Sequence, residues 1–414
     1  MLIYYLRILE HQFCYRGNLL FQPLDTKKDC AGIYANGQIY NDDIPEGLTA
    51  TWRYSPHLDL PSIEYANIYC AGQSISQVVP DTKREQWERL NGKLKAYIRA
   101  CNIAKVDLDE NCFFDIVPEN FLFQYCEMRN YITKHVIENN KKPANYDFLL
   151  DLIRLLSKIK EQPLNLDLTP LSKLAALPRA RLLYKRLLKK PKHYIEYDPF
   201  KSKTGRLTTA KSSFPMLTLD KNYRSILKPQ NDFFVEFDFN AAELRTLLAL
   251  SGKEQPEIDI HDWNVKNVYR NDLSREDAKK RIFAWLYNPN SKDYLSSREY
   301  DREEVLKRYY KDGKIVTEFD REILADDHHA LNYIIQSTTS DLFLKRAIEV
   351  DKMLCNRKSN LAFLLHDSLV IDFSKSDTDL LNAIISTFAE TDLGRYVTNI
   401  SVGYNYGNMR EYNK

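Results

Sequence analysis

Residues 364–373, LLHDSLVIDF, place His366, Asp367 and Ser368 between two apolar runs. Neighbouring Ser, His and Asp side chains could suggest a hydrolase triad, but a triad is defined by its arrangement in space and its members usually lie far apart in sequence. Successive side chains on a strand point to opposite faces, so three neighbours cannot pass a proton along one line. Two interpretations remain: a plain polar turn between hairpin strands, or a turn that presents Asp367 as half of a carboxylate pair.

A second acidic side chain, Asp238, lies near the end of the strand-like run FFVEFDF at 233–239, and a helical pattern follows from about Ala241. Carboxylate oxygens are the ligands that Mg²⁺ prefers, and two ions held about 4 Å apart can activate an attacking oxygen and stabilise a leaving one in phosphoryl transfer. Asp238 and Asp367 are far apart in the chain, so their sequence positions alone do not establish a site.

A third pattern lies in SREDAKKRIFAWLYNPN, where Arg275, Lys279, Phe283 and Tyr287 are each four residues apart. This spacing puts the four side chains on one face of a helix, and Ser274 supplies a capping start. Two cations at the N-terminal end followed by two aromatic rings match the polarity of a nucleoside triphosphate. The alternative interpretation is a core helix with two surface cations.

With further elements these patterns resemble family A DNA polymerases, the DNA polymerase I group, in a bacteriophage-like form. HDS is similar to motif C, FDFNAAELR at 237–245 to motif A, and the spaced helix to the fingers helix of that family. The other matching elements, all in the family's order, are KTGRLTT at 203–209, IHDWNV at 260–265, HALNYIIQSTTSDLF at 329–343 and VGYNYG at 402–407. The resemblance covers about residues 195–410.

The resemblance implies roles for individual residues in catalysis and nucleotide binding. Asp238, Asp367 and the backbone carbonyl of Phe239 would hold two Mg²⁺ ions, for which Mn²⁺ can substitute. The triphosphate would be held by Arg275, Lys279 and His261, and Lys279 would also protonate pyrophosphate as a general acid. Phe283 would stack near the incoming nucleotide, Tyr287 would lie by the template base, and Glu243 would lie under the sugar.

The resemblance also implies a DNA-binding surface. Four residues would face the DNA around the primer end: Arg206, Asn332, Gln336 and His366. The basic segment 179–193 reads by itself as a solvated amphipathic helix with Leu182, Leu183, Leu187 and Leu188 on its apolar side. In the family context it would flank the DNA through Arg179, Lys185, Arg186, Lys189 and Lys190.

Departures from the family keep other functions open. Motif C normally ends in Glu, whereas Ser368 stands here, as in single-subunit RNA polymerases of the same fold. Glu243 favours DNA synthesis, because it would leave no room for a ribose 2′-hydroxyl. The alternatives are a single-subunit RNA polymerase or primase, and a non-catalytic DNA-binding polymerase subunit. A proofreading exonuclease is not recognisable in residues 1–110, where the acidic stretch at 107–110 has no strand before it.

The expected architecture is α+β, a right hand with an antiparallel palm sheet, helical fingers and thumb, and a small α/β N-terminal domain. The predicted segments are 1–110 for that domain (a degenerate or replaced exonuclease of unknown role), 111–192 for the thumb, 193–251 and 328–414 for the palm, and 252–327 for the fingers. Apolar spacing predicts helices over about 83–102, 118–142 and 146–160.

Composition indicates where the protein works and how it would bind its partners. The chain has 414 residues and a net charge of +2, so affinity for nucleic acid must come from local basic patches. Its seven cysteines form no CxxC pair, and no apolar run approaches the length of a membrane span. We expect a cytoplasmic protein (in the host cytoplasm if viral), without membrane contact. Its expected partners are primer-template DNA, dNTPs, and a separate exonuclease or processivity factor.

Overall fold

The computed structural model describes residues 19–24, 32–41, 44–108, 111–190, 192–288 and 290–412. The N-terminal stretch, Cys14, Cys30, Asp109, Glu110 and Pro289 therefore lie outside the described residues. The chain divides into two compact units between Leu150 and Asp151. The five predicted domain segments remain predictions.

The first unit contains a mixed five-stranded sheet. Its strands are β1 (Leu19–Pro23), β2 (Ile33–Ala35), β3 (Gln38–Tyr40), β4 (Leu48–Thr51) and β5 (Glu64–Tyr65), in the order β3-β2-β1-β4-β5. β1 is antiparallel to β2 and parallel to β4. Asn36 and Gly37 join β2 to β3 with positive φ angles of 47° and 76°, the conformation that a tight two-residue hairpin requires.

Four helices among the described residues complete the core of the first unit, and the last of them packs against the sheet. They are α1 (Ala66–Tyr69), α2 (Arg84–Ile103), α3 (Phe113–Ile116) and α4 (Glu119–Asn139). Helix α5 (Tyr146–Glu161) follows and crosses the division between the units. In the core, Tyr125 stacks on both Trp87 and Phe121, and buried Gln22 of β1 donates to Asn130 and Thr133 of α4.

The second unit is built on a five-stranded antiparallel sheet in the order β14-β15-β10-β18-β19. Its strands are β10 (Phe233–Phe239), β14 (Asn360–Leu365), β15 (Ser368–Phe373), β18 (Thr398–Gly403) and β19 (Arg410–Glu411). Small ladders accompany it: β6 (Asn165–Leu166) with β9 (Leu227–Lys228), β7 (Tyr197–Asp198) with β8 (Thr208–Thr209), β11 (Tyr310–Lys311) with β12 (Lys314–Val316) and β13 (Glu322–Leu324), and β16 (Glu390–Thr391) with β17 (Gly394–Arg395).

Nine further helices belong to the second unit as described. They are α6 (Thr169–Lys173), α7 (Pro178–Leu187), α8 (Ala242–Leu250), α9 (Ile260–Asn267), α10 (Arg275–Tyr287), α11 (Tyr294–Glu299), α12 (Arg302–Tyr309), α13 (Asp327–Met353) and α14 (Leu381–Ala389). Much of α13 is buried along its length, against α8 and the sheet. Aromatic contacts tie the layers together, as Phe239 of β10 contacts Phe343 of α13 and Phe388 of α14.

The central sequence predictions are confirmed at the level of elements. The three predicted helices correspond to α2, α4 and α5, the run 233–239 is strand β10, and LLHDSLVIDF forms the turn of a hairpin. The apolar side expected on the basic helix is wrong in part, because Leu187 is buried while Leu182 and Leu188 are 68% and 59% exposed. Cys70, Cys101, Cys126 and Cys355 are free thiols. None of the helices described here has the length and apolar character to cross a membrane.

Candidate active site

Two carboxylates meet where β10 and β15 reach the same edge of the sheet. The antiparallel register runs from Phe233 opposite Phe373 to Asp238 opposite Ser368, so Asp367 lies next to the partner of Asp238. The turn that carries Asp367 is made possible by His366, which adopts a φ of 54° and is exposed. The register therefore brings together two residues that the sequence analysis paired.

Burial and like charge make this pair electrostatically unusual. Burial raises the pKa of Asp238 to about 7, with the charges of Glu236 and Asp367 adding to the effect and a hydrogen bond from Asn399 opposing it. Burial also raises the pKa of Asp367 to about 6, which Arg206 counteracts and Glu243 reinforces. Near neutral pH the site therefore concentrates negative charge that the surrounding residues do not fully neutralise.

A buried carboxylate, Glu243, is fixed beside this pair by two donors. Glu243 lies in the first turn of α8, only 7% exposed, and accepts hydrogen bonds from Arg206 and from the hydroxyl of Tyr287. Burial raises the pKa of Tyr287, and the negative charge of Glu243 raises it further, so the phenol stays protonated and donates the hydrogen bond. Glu243, Arg206 and Tyr287, which we call the Glu243 cluster, join α8, the loop at 203–207 and α10.

The turn between β10 and α8 depends on Ala241 and Arg245. Ala241 has a φ of 48°, and the side chain of Arg245, fully buried, donates to the carbonyls of Asn240, Pro256 and Ile258. These bonds fix the path that carries Asp238 and Glu243 to the same region.

The N-terminal end of α10 is capped by Ser274, and its first cation, Arg275, is paired with an acid. Ser274 accepts a hydrogen bond from the backbone of Asp277 at 3.2 Å, so the predicted helix start is confirmed. Arg275 makes an ion pair with Asp259 at 2.8 Å, and this pairing holds the pKa of Asp259 well below its usual range against the opposing effect of burial. Lys279 lies one turn on and is exposed.

His261 and the aromatic residues of α10 form a contiguous surface. His261, 4% exposed, places its ring 5.8 Å from that of Phe283, which stacks on Tyr287 at 5.9 Å. Its Nδ1 is buried without a hydrogen-bond partner among the described residues. Burial lowers the pKa of His261, with Lys279 and Arg275 adding to the effect and Asp259 opposing it.

The predicted DNA-binding residues lie on several elements. Asn332 and Gln336 are half-buried on α13, and Oδ1 of Asn332 has no partner among the described residues. The predicted basic residues are exposed on α7 and just after it: Arg179, Lys185, Arg186, Lys189 and Lys190. Of these, Arg186 is committed to the carbonyls of Lys211 and Ser213, both at 3.1 Å.

Several residues near the site were not predicted from the sequence. The carboxylate of Asp259 accepts hydrogen bonds from Arg275 and Asn240. Asn399, on β18, hydrogen-bonds to the carboxylate of Asp238. A buried ion pair links Arg321, between β12 and β13, to Asp341 of α13 at 2.7 Å. Only Glu236 carried a signal that could have been read, because it precedes Asp238 by two residues in a strand and so shares its face.

The carboxylates of this site supply only part of the ligand shell that a divalent cation needs. Among the described residues, no group of three or more His, Cys, Asp and Glu side chains is arranged to hold a metal ion. Asp238 and Asp367 nevertheless fit Mg²⁺, since that ion is usually bound by one or two carboxylates and completes its shell with water and substrate phosphates.

Comparisons with known proteins show that the chain has a known fold. No protein-family model and no curated protein matches the chain. Among solved structures the chain is similar to a DNA polymerase domain. That domain is the POL domain of Pol1 from M. smegmatis, solved in complex with a DNA primer-template and dNTP, with a TM-score of 0.56 and 11% identity over 70% of this chain and 76% of that chain. The chain therefore shares the fold of that domain.

Proposed function

We propose that this protein is a template-directed, primer-dependent DNA polymerase of the family A type, which adds dNTPs to a primer 3′-OH and releases pyrophosphate without proofreading of its own. The observation that carries the proposal is the pairing of Asp238 with Asp367 beside the Glu243 cluster. The shared fold with a polymerase domain supports the same function.

The proposed layout assigns the antiparallel sheet and α13 to a palm, the helices of 252–327 to fingers, and 111–192 to a thumb. Residues 1–110 would be a degenerate or replaced exonuclease domain, which leaves room for a separate exonuclease or processivity factor as a partner. The elements that carry Asp238, Asp367 and Glu243 all belong to the second unit, which would therefore hold the residues proposed for nucleotide addition.

Asp238, Asp367 and the carbonyl of Phe239 would hold two Mg²⁺ ions, or Mn²⁺ in their place. The raised pKa values of the two carboxyls support this role, because a bound cation would relieve their repulsion. When bound, Mg²⁺ supplies charge neutralisation of the phosphates and a lower pKa for the attacking hydroxyl.

The cationic face of α10 would bind and orient the triphosphate. Arg275, Lys279 and neutral His261 donate hydrogen bonds to its oxygens, and Arg275 exchanges Asp259 for phosphate. The primer 3′-oxygen forms a bond to the α-phosphorus as the bond to pyrophosphate breaks. The hydroxyl proton passes to solvent water, and Lys279 donates a proton to the leaving pyrophosphate.

The Glu243 cluster would select the sugar and position the base. Because Arg206 and Tyr287 fix the Glu243 carboxylate, it cannot swing away from a 2′-hydroxyl. Phe283 would stack near the incoming nucleotide and Tyr287 would lie by the template base. Asn332, Gln336, Arg206 and His366 would contact the DNA at the primer end.

The test is extension of a labelled DNA primer on a DNA template with Mg²⁺, run in parallel with dNTPs and rNTPs. We expect extension with dNTPs only, abolished by Asp367→Ala and by Asp238→Ala. Glu254→Gln, at an exposed position, is the control for loss of an acidic residue and should leave extension unchanged.

Each other outcome favours a named alternative. Preference for rNTPs would identify a single-subunit RNA polymerase or primase, for which Ser368 is the relevant motif residue. Absence of extension with both substrates, together with retained DNA binding, would identify a non-catalytic DNA-binding subunit.

A further inference from the structure

A third carboxylate, Glu236, lies beside the Asp238–Asp367 pair. Glu236 and Asp238 are two residues apart on β10, so their side chains leave the same face of the sheet. Ser368, at the start of β15, is the register partner of Asp238, and its hydroxyl is shared between Oε1 of Glu236 at 3.1 Å and the carbonyl of Leu365 at 3.0 Å. The hydroxyl that occupies the place of an acid after Asp367 is therefore bonded to an acid on the neighbouring strand.

Hydrogen bonds from Ser368 of β15 and from Tyr406 fix the orientation of the Glu236 carboxylate. The hydroxyl of Tyr406, which follows β18, donates to the same Oε1 at 2.8 Å. Burial and then Glu236 raise the pKa of Tyr406, so this phenol remains a donor. Among the described residues both hydrogen bonds go to Oε1, which leaves Oε2 available to a water molecule or a cation.

The negative charge of Glu236 is not needed for this hydrogen bonding. A glutamine could accept both hydrogen bonds through its own Oε1 and would not repel a neighbouring carboxylate. Glu236 and Asp238 lie on the same face of β10 and carry like charges, so the two carboxylates repel each other. The negative charge of Glu236 destabilises the metal-free protein, and a bound cation would explain why the charge is present.

We propose that Glu236, on β10, supports the metal site from outside the set of direct ligands, on the strand that pairs with Ser368. The proposal rests on the proposed function, because it assumes divalent cations at Asp238 and Asp367. Glu236 acts as a positioning residue: its charge raises cation affinity and its Oε2 orients a water molecule of the ion's shell.

The test measures Mn²⁺ binding to the full chain without DNA by electron paramagnetic resonance, with thermal unfolding as a check on folding. Glu236→Gln is expected to weaken Mn²⁺ binding about 10-fold, the usual size of such indirect effects on metal affinity. In primer extension it should raise the Mg²⁺ concentration for half-maximal rate by a similar factor, with little change in rate at saturating Mg²⁺. Glu254→Gln should change neither value.

A reciprocal exchange sharpens the test. Ser368→Glu alone places two acids in contact and should lower the unfolding temperature in EDTA. Glu236→Ser alone should lose Mn²⁺ affinity like Glu236→Gln. The double variant Glu236→Ser/Ser368→Glu returns one acid to the pair, and we expect Mn²⁺ affinity within about 2-fold of the unaltered chain, far from the sum of the two single effects.

Wild-type Mn²⁺ affinity in Glu236→Gln would overturn the proposal, as would a double variant whose defects simply add. Failure of the proposed function gives a different result. In that case Asp238→Ala abolishes Mn²⁺ binding and Glu236→Gln weakens it, while the unaltered chain extends no primer.

Discussion

Asp238 holds its proton more tightly in the folded chain than an unfolded aspartate does. Its pKa of about 7 arises from burial and from the neighbouring acids Glu236 and Asp367. An unfolded aspartate has a pKa of about 4, so the folded state binds more protons between these two values. Without metal, this group therefore favours folding below about pH 4 and loses that contribution as the pH rises through 7.

Asp238→Asn is accordingly expected to stabilise the metal-free protein at pH 8, by roughly 1–2 kcal/mol once partial solvation of the carboxyl is allowed for. The gain should vanish below pH 4, where the carboxyl is protonated in both states. Urea unfolding in EDTA at several pH values measures this difference, with Glu254→Gln as the control. A gain that does not depend on pH would contradict the electrostatic explanation.

Glu243→Gly is expected to increase the use of rNTPs relative to dNTPs by at least about 10-fold, because it removes the carboxylate that would exclude a 2′-hydroxyl. The missing contact corresponds to more than about 1.4 kcal/mol of discrimination. The ratio of kcat/KM for the two substrates measures it. If rNTP use stays unchanged while dNTP use falls, Glu243 supports the structure and does not select the sugar.

The sequence predicted the elements that carry these residues better than the contacts that the residues make. Strand β10, the hairpin turn at Asp367 and helix α10 could be predicted because their local patterns are strong and periodic. Asp259 and Asn399 could not be assigned, because their partners come from pairing across strands or from neighbouring helices that no local pattern encodes. The spacing of two residues put Glu236 on the face of Asp238, but it did not predict the hydrogen bonds of Glu236 to Ser368 and Tyr406. Tyr406, for instance, reaches Glu236 from 170 residues away.

At the scale of elements, the loop 203–207 is fixed by an arginine from the β12–β13 turn. Gly205 has a φ of 72°, and a Cβ there would lie 2.5 Å from the guanidinium of Arg321. That guanidinium is only 12% exposed and is paired with fully buried Asp341. The next residue, Arg206, contacts Glu243, so the buried ion pair fixes one support of the Glu243 cluster.

Gly205→Ala is expected to destabilise the protein by about 1–3 kcal/mol through its positive φ, with a further cost from contact with Arg321. Gly252→Ala is the matched control, because Gly252 has the same φ of 72° and nothing within 4 Å of its would-be Cβ. The difference between the two variants in denaturant unfolding isolates the contact. Equal destabilisation would mean that Arg321 moves aside at no cost.

At the scale of the whole molecule, charge is nearly balanced, with 59 basic and 57 acidic side chains. Binding to a polyanion must therefore depend on where the basic residues cluster. The exposed lysines of α7 and of the residues after it form one such cluster, which we call the α7 basic cluster: Lys185, Lys189 and Lys190.

Replacing the α7 basic cluster with glutamines is expected to reduce the slope of log K against log salt for primer-template binding by about 2–3, since each phosphate contact contributes about 0.9. Arg186 is left unchanged because it supports backbone carbonyls. The control replaces Lys93, Lys95 and Arg99, exposed on α2, and removes the same charge. Equal slopes for both triple variants would show that only net charge matters.

The central position of β10 has a consequence for biosynthesis. β10 hydrogen-bonds to β15 on one side and along residues 234–239 to β18 on the other, and β18 is made long after β10. Until Thr398–Gly403 leave the ribosome, one edge of the sheet is an open row of N–H and C=O groups, which can recruit a strand from another nascent chain. Translation that stops ahead of Thr398 thus converts the strand that carries Asp238 into a template for aggregation.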